Sequence, residues 1–94
     1  MAGLLRGAGL TGWEANLDLE GVGILDFAFV RQRVAIEIDG RAWHSAGDRF
    51  QSDRTRQNRL VLRGWTVLRF TWEDLVKRPD EVIRQVRLAL GAAT

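Results

Sequence analysis

The chain has 94 residues, a length that makes one domain and not two. It contains no cysteine, which excludes disulfides and Cys-based zinc sites and suits a reducing, cytoplasmic setting. An apolar share of 46% argues against disorder, and no apolar run approaches the length of a membrane span. The net charge of +2 conceals a bias, because thirteen of the fourteen basic residues are Arg. From Arg41 to Arg63 six Arg face only Asp48 and Asp53, a local excess of four. Arg grips phosphate through a planar fork, so this stretch is the candidate for a nucleic-acid backbone contact. A solvated helix face is the plainer alternative.

In chain order, residues 2–8 predict a weak helical turn, limited by length and by Gly3 and Gly7. Residues 14–20 alternate, with Ala15, Leu17 and Leu19 set against Asn16, Asp18 and Glu20, the pattern of a half-buried strand. Gly21 and Gly23 supply a turn. Residues 24–30 and 34–39 are rich in Ile, Val and Phe and predict two further strands, joined as a hairpin by Arg31-Gln32-Arg33. Asp48 is placed as the N-cap of a helix to about Arg63, with Phe50, Leu60 and Val61 inward and Gly64 as its stop. Residues 65–70 predict a strand. Thr71 and Asp74 form a capping box for a short helix to about Lys77. Pro79 opens a last helix with Asp80 and Glu81 in its first turn and an apolar stripe of Val82, Ile83, Val86 and Leu90. The strand–helix–strand unit from 34 to 70 implies a parallel crossover. The expected fold is therefore α/β, a mixed sheet in which an antiparallel three-strand meander continues into a parallel fourth strand, flanked by helices.

Strand residues alternate between faces. Asp26 then shares a face with Ala28 and Val30, and Leu25, Phe27 and Phe29 take the other. Glu37 and Asp39 share one face of the third strand. A hairpin symmetric about Arg31-Gln32 sets Asp26 directly opposite Glu37, with Cβ atoms roughly 4.5–5.5 Å apart. Two carboxylates that close repel unless a cation or a proton lies between them. Charged residues are depleted from strands, so three acids between apolar strands suggest a Mg²⁺ or Mn²⁺ site. The alternative is a wet face on which they pair with Arg31, Arg33 or Arg41. His44, the only histidine, follows Gly40, where a sharp turn would bring it back toward the acids as a candidate general base or acid; an inert surface histidine is the plainer alternative. Trp13, Trp65 and Trp72 are assigned to the core or to packing, and Trp43 to a core or lid role, with a base contact as the alternative.

The ordered set Leu25-Asp26-Phe27-Ala28-Phe29, Val34-Ala35-Ile36-Glu37-Ile38-Asp39-Gly40, Trp43-His44, Asp53-Arg54 and Gly64 to Glu73 resembles the Vsr-like branch of the PD-(D/E)XK nuclease superfamily, the branch of the very-short-patch mismatch repair endonucleases. The resemblance covers roughly residues 8–90 and implies a restriction-endonuclease-like core over residues 1–94, with a shortened N-terminal helix. It implies metal ligation by Asp26, Glu37 and the carbonyl of Ile38. It also implies His44 as base and Asp53 as an acid near the site. Arg41, Trp43, Arg54, Arg56 and Arg59 would contact DNA. Asp39 stands where the superfamily pattern has Lys, Leu25 stands for Pro, and a further N-terminal Glu has no counterpart. The expected function is Mg²⁺- or Mn²⁺-dependent endonucleolytic hydrolysis of DNA. The competing expectation is a binding or regulatory module, such as part of a toxin–antitoxin or phage-defence system. A homodimer or a longer parent protein fits either expectation.

Overall fold

The computed structural model describes residues 1–39 and 47–92, with backbone alone for 47–50. The elements run α1 (Ala2–Gly7), β1 (Glu14–Leu19), β2 (Gly23–Phe29), β3 (Val34–Asp39), α2 (Gly47–Leu62), β4 (Thr66–Thr71), α3 (Trp72–Lys77) and α4 (Pro79–Ala92). One four-stranded sheet has the order β1-β2-β3-β4. The first two pairings are antiparallel and β3 runs parallel to β4. This is the expected mixed sheet of a restriction-endonuclease-like core. Among the described residues no helix is long and apolar enough to cross a membrane.

The sheet separates two cores. On one face Phe29, Val34, Ile36 and Phe70 pack with Leu5 of α1, Leu75 of α3, and Val82 and Val86 of α4. On the other, Leu25, Ala28 and Ala35 pack with Leu60 of α2 and Trp65. α1 forms despite its glycines because Leu5 is fully buried in the first core, and packing outweighs propensity in so short a helix. α2 ends as expected at Gly64, whose φ of +82° carries the left-handed turn. The Trp65 amide donates to the Leu60 carbonyl at 3.0 Å and the Gly64 amide to Val61 at 3.0 Å, a Schellman closure. The capping box at Thr71 and Asp74 is present, with both bonds made.

Three expectations are corrected. Val61 is 56% exposed, leaving Leu60 as the buried anchor of α2 among its described side chains; Phe50 lies outside them. Trp72 is not a core residue, being 46% exposed. The third concerns strand faces. Leu17 pairs with Leu25, and both belong to the α2-side core, whereas Ala15 is exposed and pairs with Phe27, which packs on the α1–α4 side. Directly paired residues share a face, so both strands change faces between these pairs. The change falls on Asn16, which has φ +51°, and on Asp26, which lies between Leu25 and Phe27. Leu25 accordingly sits with Ala28, not with Phe27 and Phe29.

Apart from Leu60, the described side chains of α2 that hold it to β2 and the β1–β2 turn do so by donation. Arg56 Nη2 donates to the Ile24 carbonyl at 2.9 Å, Arg59 Nη1 to Gly21 at 3.5 Å and Arg63 Nη1 to Glu20 at 2.6 Å. Gly21, at φ +80°, lies against Arg63 so closely that any Cβ there would collide with the guanidinium. Because Leu60 is the single apolar anchor of this helix among its described side chains, Leu60→Ala should destabilise the fold by about 2–5 kcal/mol. Urea denaturation followed by circular dichroism measures it.

Candidate metal centre

The β2–β3 ladder pairs Phe29 with Val34, Ala28 with Ala35 and Phe27 with Ile36. Continued one step, that register sets Asp26 against Glu37. There the backbone pairing stops, although both strands continue. The side chains take over the exchange. Glu37 Oε2 accepts from the Asp26 amide at 2.9 Å, and Asp26 Oδ2 accepts from the Ile38 amide at 2.8 Å. Each acid is thus tied to the opposing strand, and the two lie close enough for Asp26 to push up the proton affinity of Glu37 electrostatically.

Glu37 is the one charged residue among the buried side chains described, at 4% exposure. By alternation from Ala35 it faces α2, from which Arg56 reaches in and ion-pairs with Glu37 Oε1. Burial pushes the Glu37 carboxyl above its ordinary range; the Asp26 amide and the Arg56 charge pull it down without cancelling that cost. Oxygen donors from two neighbouring carboxylates suit a hard divalent cation, and a carboxylate still destabilised by burial gains from one. The residues therefore fit a Mg²⁺ or Mn²⁺ ion.

Asp39 faces a different partner. Its Oδ1 accepts from Arg69 Nη1 at 2.9 Å, and Asp53 Oδ2 lies 3.8 Å from the same nitrogen. Gln57 completes the group, accepting from Arg69 Nε at 3.4 Å. Arg69 is in parallel register with Glu37, which places it on the α2 side of the sheet. Glu37 and Asp39 thus pair with Arg56 and Arg69, and among the described residues none of Asp26, Glu37 and Asp39 pairs with Arg31 or Arg33 and no three acids gather to hold one metal. Arg69 went unnoticed in the sequence because only the β3–β4 register brings it to the site. Arg56 retains N–H groups beyond its bonds to Glu37 and Ile24. Arg54 and Arg59 are on the same helix. Arg41, Trp43 and His44 lie outside the described residues.

The Glu37 balance sets a pH dependence. At low pH the carboxyl is protonated in folded and unfolded chains alike and makes no difference. As pH rises above the ordinary carboxylate value, the unfolded chain releases the proton first, so the folded chain binds more protons and stability falls until the raised folded value is passed. Glu37→Gln removes that ionisation. In EDTA it should raise the melting temperature at neutral pH, and the gain should shrink toward zero near pH 4. Thermal melts across that range check it, and a gain independent of pH would contradict the assignment.

The restriction-endonuclease-like family REase_MTES_1575 matches residues 5–90. A Neisseria meningitidis protein named as the type II nicking enzyme V.NmeDIP is 31% identical over 85 residues, covering 69% of this chain and 57% of that protein. An uncharacterised Mycobacterium tuberculosis protein is 28% identical over 69 residues, 73% of this chain and 26% of the relative. The chain thus spans about a quarter to somewhat over half the length of these relatives. The solved catalytic domain of the homing endonuclease I-Bth0305I superposes with a TM-score of 0.78 at 21% identity, over 98% of this chain and 90% of that one, and shares its fold. With its sheet, its paired acids and a family match spanning nearly its whole length, the chain belongs to the restriction-endonuclease-like family REase_MTES_1575.

Proposed function

We propose that this chain is the catalytic domain of a metal-dependent DNA endonuclease of the Vsr-like kind, one that hydrolyses or nicks a phosphodiester. The observation that carries the reading is the Asp26–Glu37 clasp: two acids, one of them buried, bonded to each other's strands where the ladder ends. Family membership, a relative named as a nicking enzyme and a fold shared with an endonuclease catalytic domain support it. Asp26 and Glu37, with the Ile38 carbonyl, would hold Mg²⁺ or Mn²⁺. When bound, that ion supplies Lewis-acid stabilisation of charge developing on the phosphate. His44 or Asp39 would take the proton of the attacking water, with Asp53 holding Arg69 beside Asp39. Arg41, Arg54, Arg56 and Arg59 would hold the DNA backbone, and Trp43 would meet a base.

A second reading, a nucleic-acid-binding module without cleavage, is favoured by one observation: Arg56 already pairs with Glu37.

Asp26→Asn separates the two. It should abolish Mg²⁺- or Mn²⁺-dependent nicking of plasmid and the Mn²⁺ heat measured by titration calorimetry, while leaving DNA binding nearly intact. Cleavage at the wild-type rate by Asp26→Asn would remove the metal role. A wild-type chain that binds DNA but never cuts it would favour the second reading. His44→Ala should slow cleavage by roughly 10²–10⁴-fold if His44 is the base.

The grip on the DNA backbone has its own test. Replacing Arg54 and Arg59 by Ala should weaken binding uniformly across sequences and flatten the salt slope by about one for each phosphate no longer neutralised. Affinity measured from low to moderate salt decides, and an unchanged slope would remove these two residues from the interface.

A further inference from the structure

Trp72 is the first residue of α3, and it is 46% exposed although tryptophan offers one of the largest apolar surfaces of any side chain. Its backbone is held from both sides. Thr71, immediately before it, closes β4 in register with Asp39. The Thr71 hydroxyl then accepts from the Asp74 amide at 3.1 Å, and Asp74 Oδ2 accepts from the Thr71 amide at 2.9 Å. An exposed indole is thus carried on a fixed turn at the end of the sheet where the paired acids lie.

The indole borders a cavity of about 270 Å³, lined among the described residues by Met1, Asn16, Asp26, Phe27, Ile38 and Trp72. Two of these, Asp26 and Ile38, belong to the candidate metal centre. Asp26 lies where β2 changes faces, so it borders this cavity on the α1 side while acting on Glu37, which faces α2. Asn16, across the same irregularity, is exposed and has φ +51°. Its amide offers both donors and an acceptor. The cavity therefore combines a flat aromatic wall, apolar flanks, a neutral hydrogen-bonding group and a carboxylate. A purely apolar occupant would leave the carboxylate and amide unmatched, and without a cation at the clasp an anionic one would be repelled by Asp26. A planar, uncharged ring with N–H groups on its edge suits all four.

We propose that this cavity receives an unstacked nucleobase of the strand being cut, with Trp72 as the stacking face and the Asn16 amide at the base edge. The proposal rests on the DNA-endonuclease reading and adds a base contact on the opposite side of the sheet from α2. Stacking is tolerant of sequence because every base has a π-face, so Trp72 positions the strand and Asn16 biases which base is held.

The test compares two probes in EDTA, where metal-dependent cutting is suppressed: a dT oligonucleotide, and an abasic oligonucleotide of the same length with the same phosphates but no bases. The wild-type chain should bind the dT strand more tightly. Trp72→Ala should weaken binding of the dT strand by roughly 5- to 100-fold and leave the abasic strand within about twofold. Trp72→Phe should restore most of the affinity, and the salt slope should not change, since every phosphate stays neutralised as before. Melting curves verify that each variant folds. Equal weakening on both probes would make Trp72 a structural residue and overturn the proposal. So would equal wild-type affinity for the two strands, or an unchanged dT affinity in Trp72→Ala. If the wild-type chain binds neither strand nor duplex DNA, the endonuclease reading fails and this proposal with it. If duplex is bound and cut but the probes are not distinguished, the base site alone falls.

Discussion

An ionised carboxylate beneath a sheet must be matched by charge and hydrogen bonds or it will take up a proton. Glu37 is matched twice, by the Asp26 amide and by Arg56, and its proton affinity still remains raised. Much of the arrangement on that side of the sheet follows from this. Arg56 must come from α2, so α2 must lie across β2 and β3. Among its described side chains this helix buries little apolar surface. Leu60 supplies the buried anchor, and the bonds of Arg56, Arg59 and Arg63 to carbonyls near the β1–β2 turn fix its direction. The helix that neutralises the buried acid is held largely by the same kind of side chain that neutralises it.

The second constraint is the end of the β2–β3 ladder. A regular hairpin would pair the backbones past Phe27 and Ile36 and leave Asp26 and Glu37 merely facing each other. Here the Asp26 amide goes to a carboxylate, and the other carboxylate goes to the Ile38 amide. The donors are satisfied, as buried strand amides must be, and the acids are immobilised. The change of faces at Asn16 and Asp26 belongs to the same irregularity. It moves Leu25 to the α2 side and leaves Asp26 between the two sides of the sheet.

Much of this was legible from residue order alone. The hairpin register that opposes Asp26 and Glu37 follows from the length of the Arg31–Arg33 turn, and the observed pairs obey it. The Gly64 stop, the Thr71–Asp74 box and the Pro79 start are local signals read from a few neighbouring residues, and they hold. What escaped is what depends on several chain segments meeting. Leu25 looks like a partner of Phe27 and Phe29 if alternation is strict. Only the positive φ of Asn16, on a different strand, marks where alternation fails. The sequence shows the Arg residues of α2 only as a candidate phosphate grip; that Arg56, Arg59 and Arg63 also dock the helix is hidden because their carbonyl partners near the β1–β2 turn are more than thirty residues away. Trp72 looks like core because tryptophan usually is; its exposure follows from its place at the turn between β4 and α3.

Charge counting connects the two acids to their chemistry. Asp26 and Glu37 carry two negative charges when ionised, and the direct ion pair described for them is the single guanidinium of Arg56. Arg69, the next cation on that side, is shared between Asp39 and Asp53, so most of its field is already answered. When both are ionised, Asp26 is left without an ion pair among the described residues and rests on the Ile38 amide and on its partial exposure. A divalent cation at the clasp would reverse the local sign, and a negatively charged phosphate could then approach a site whose own acids would otherwise repel it.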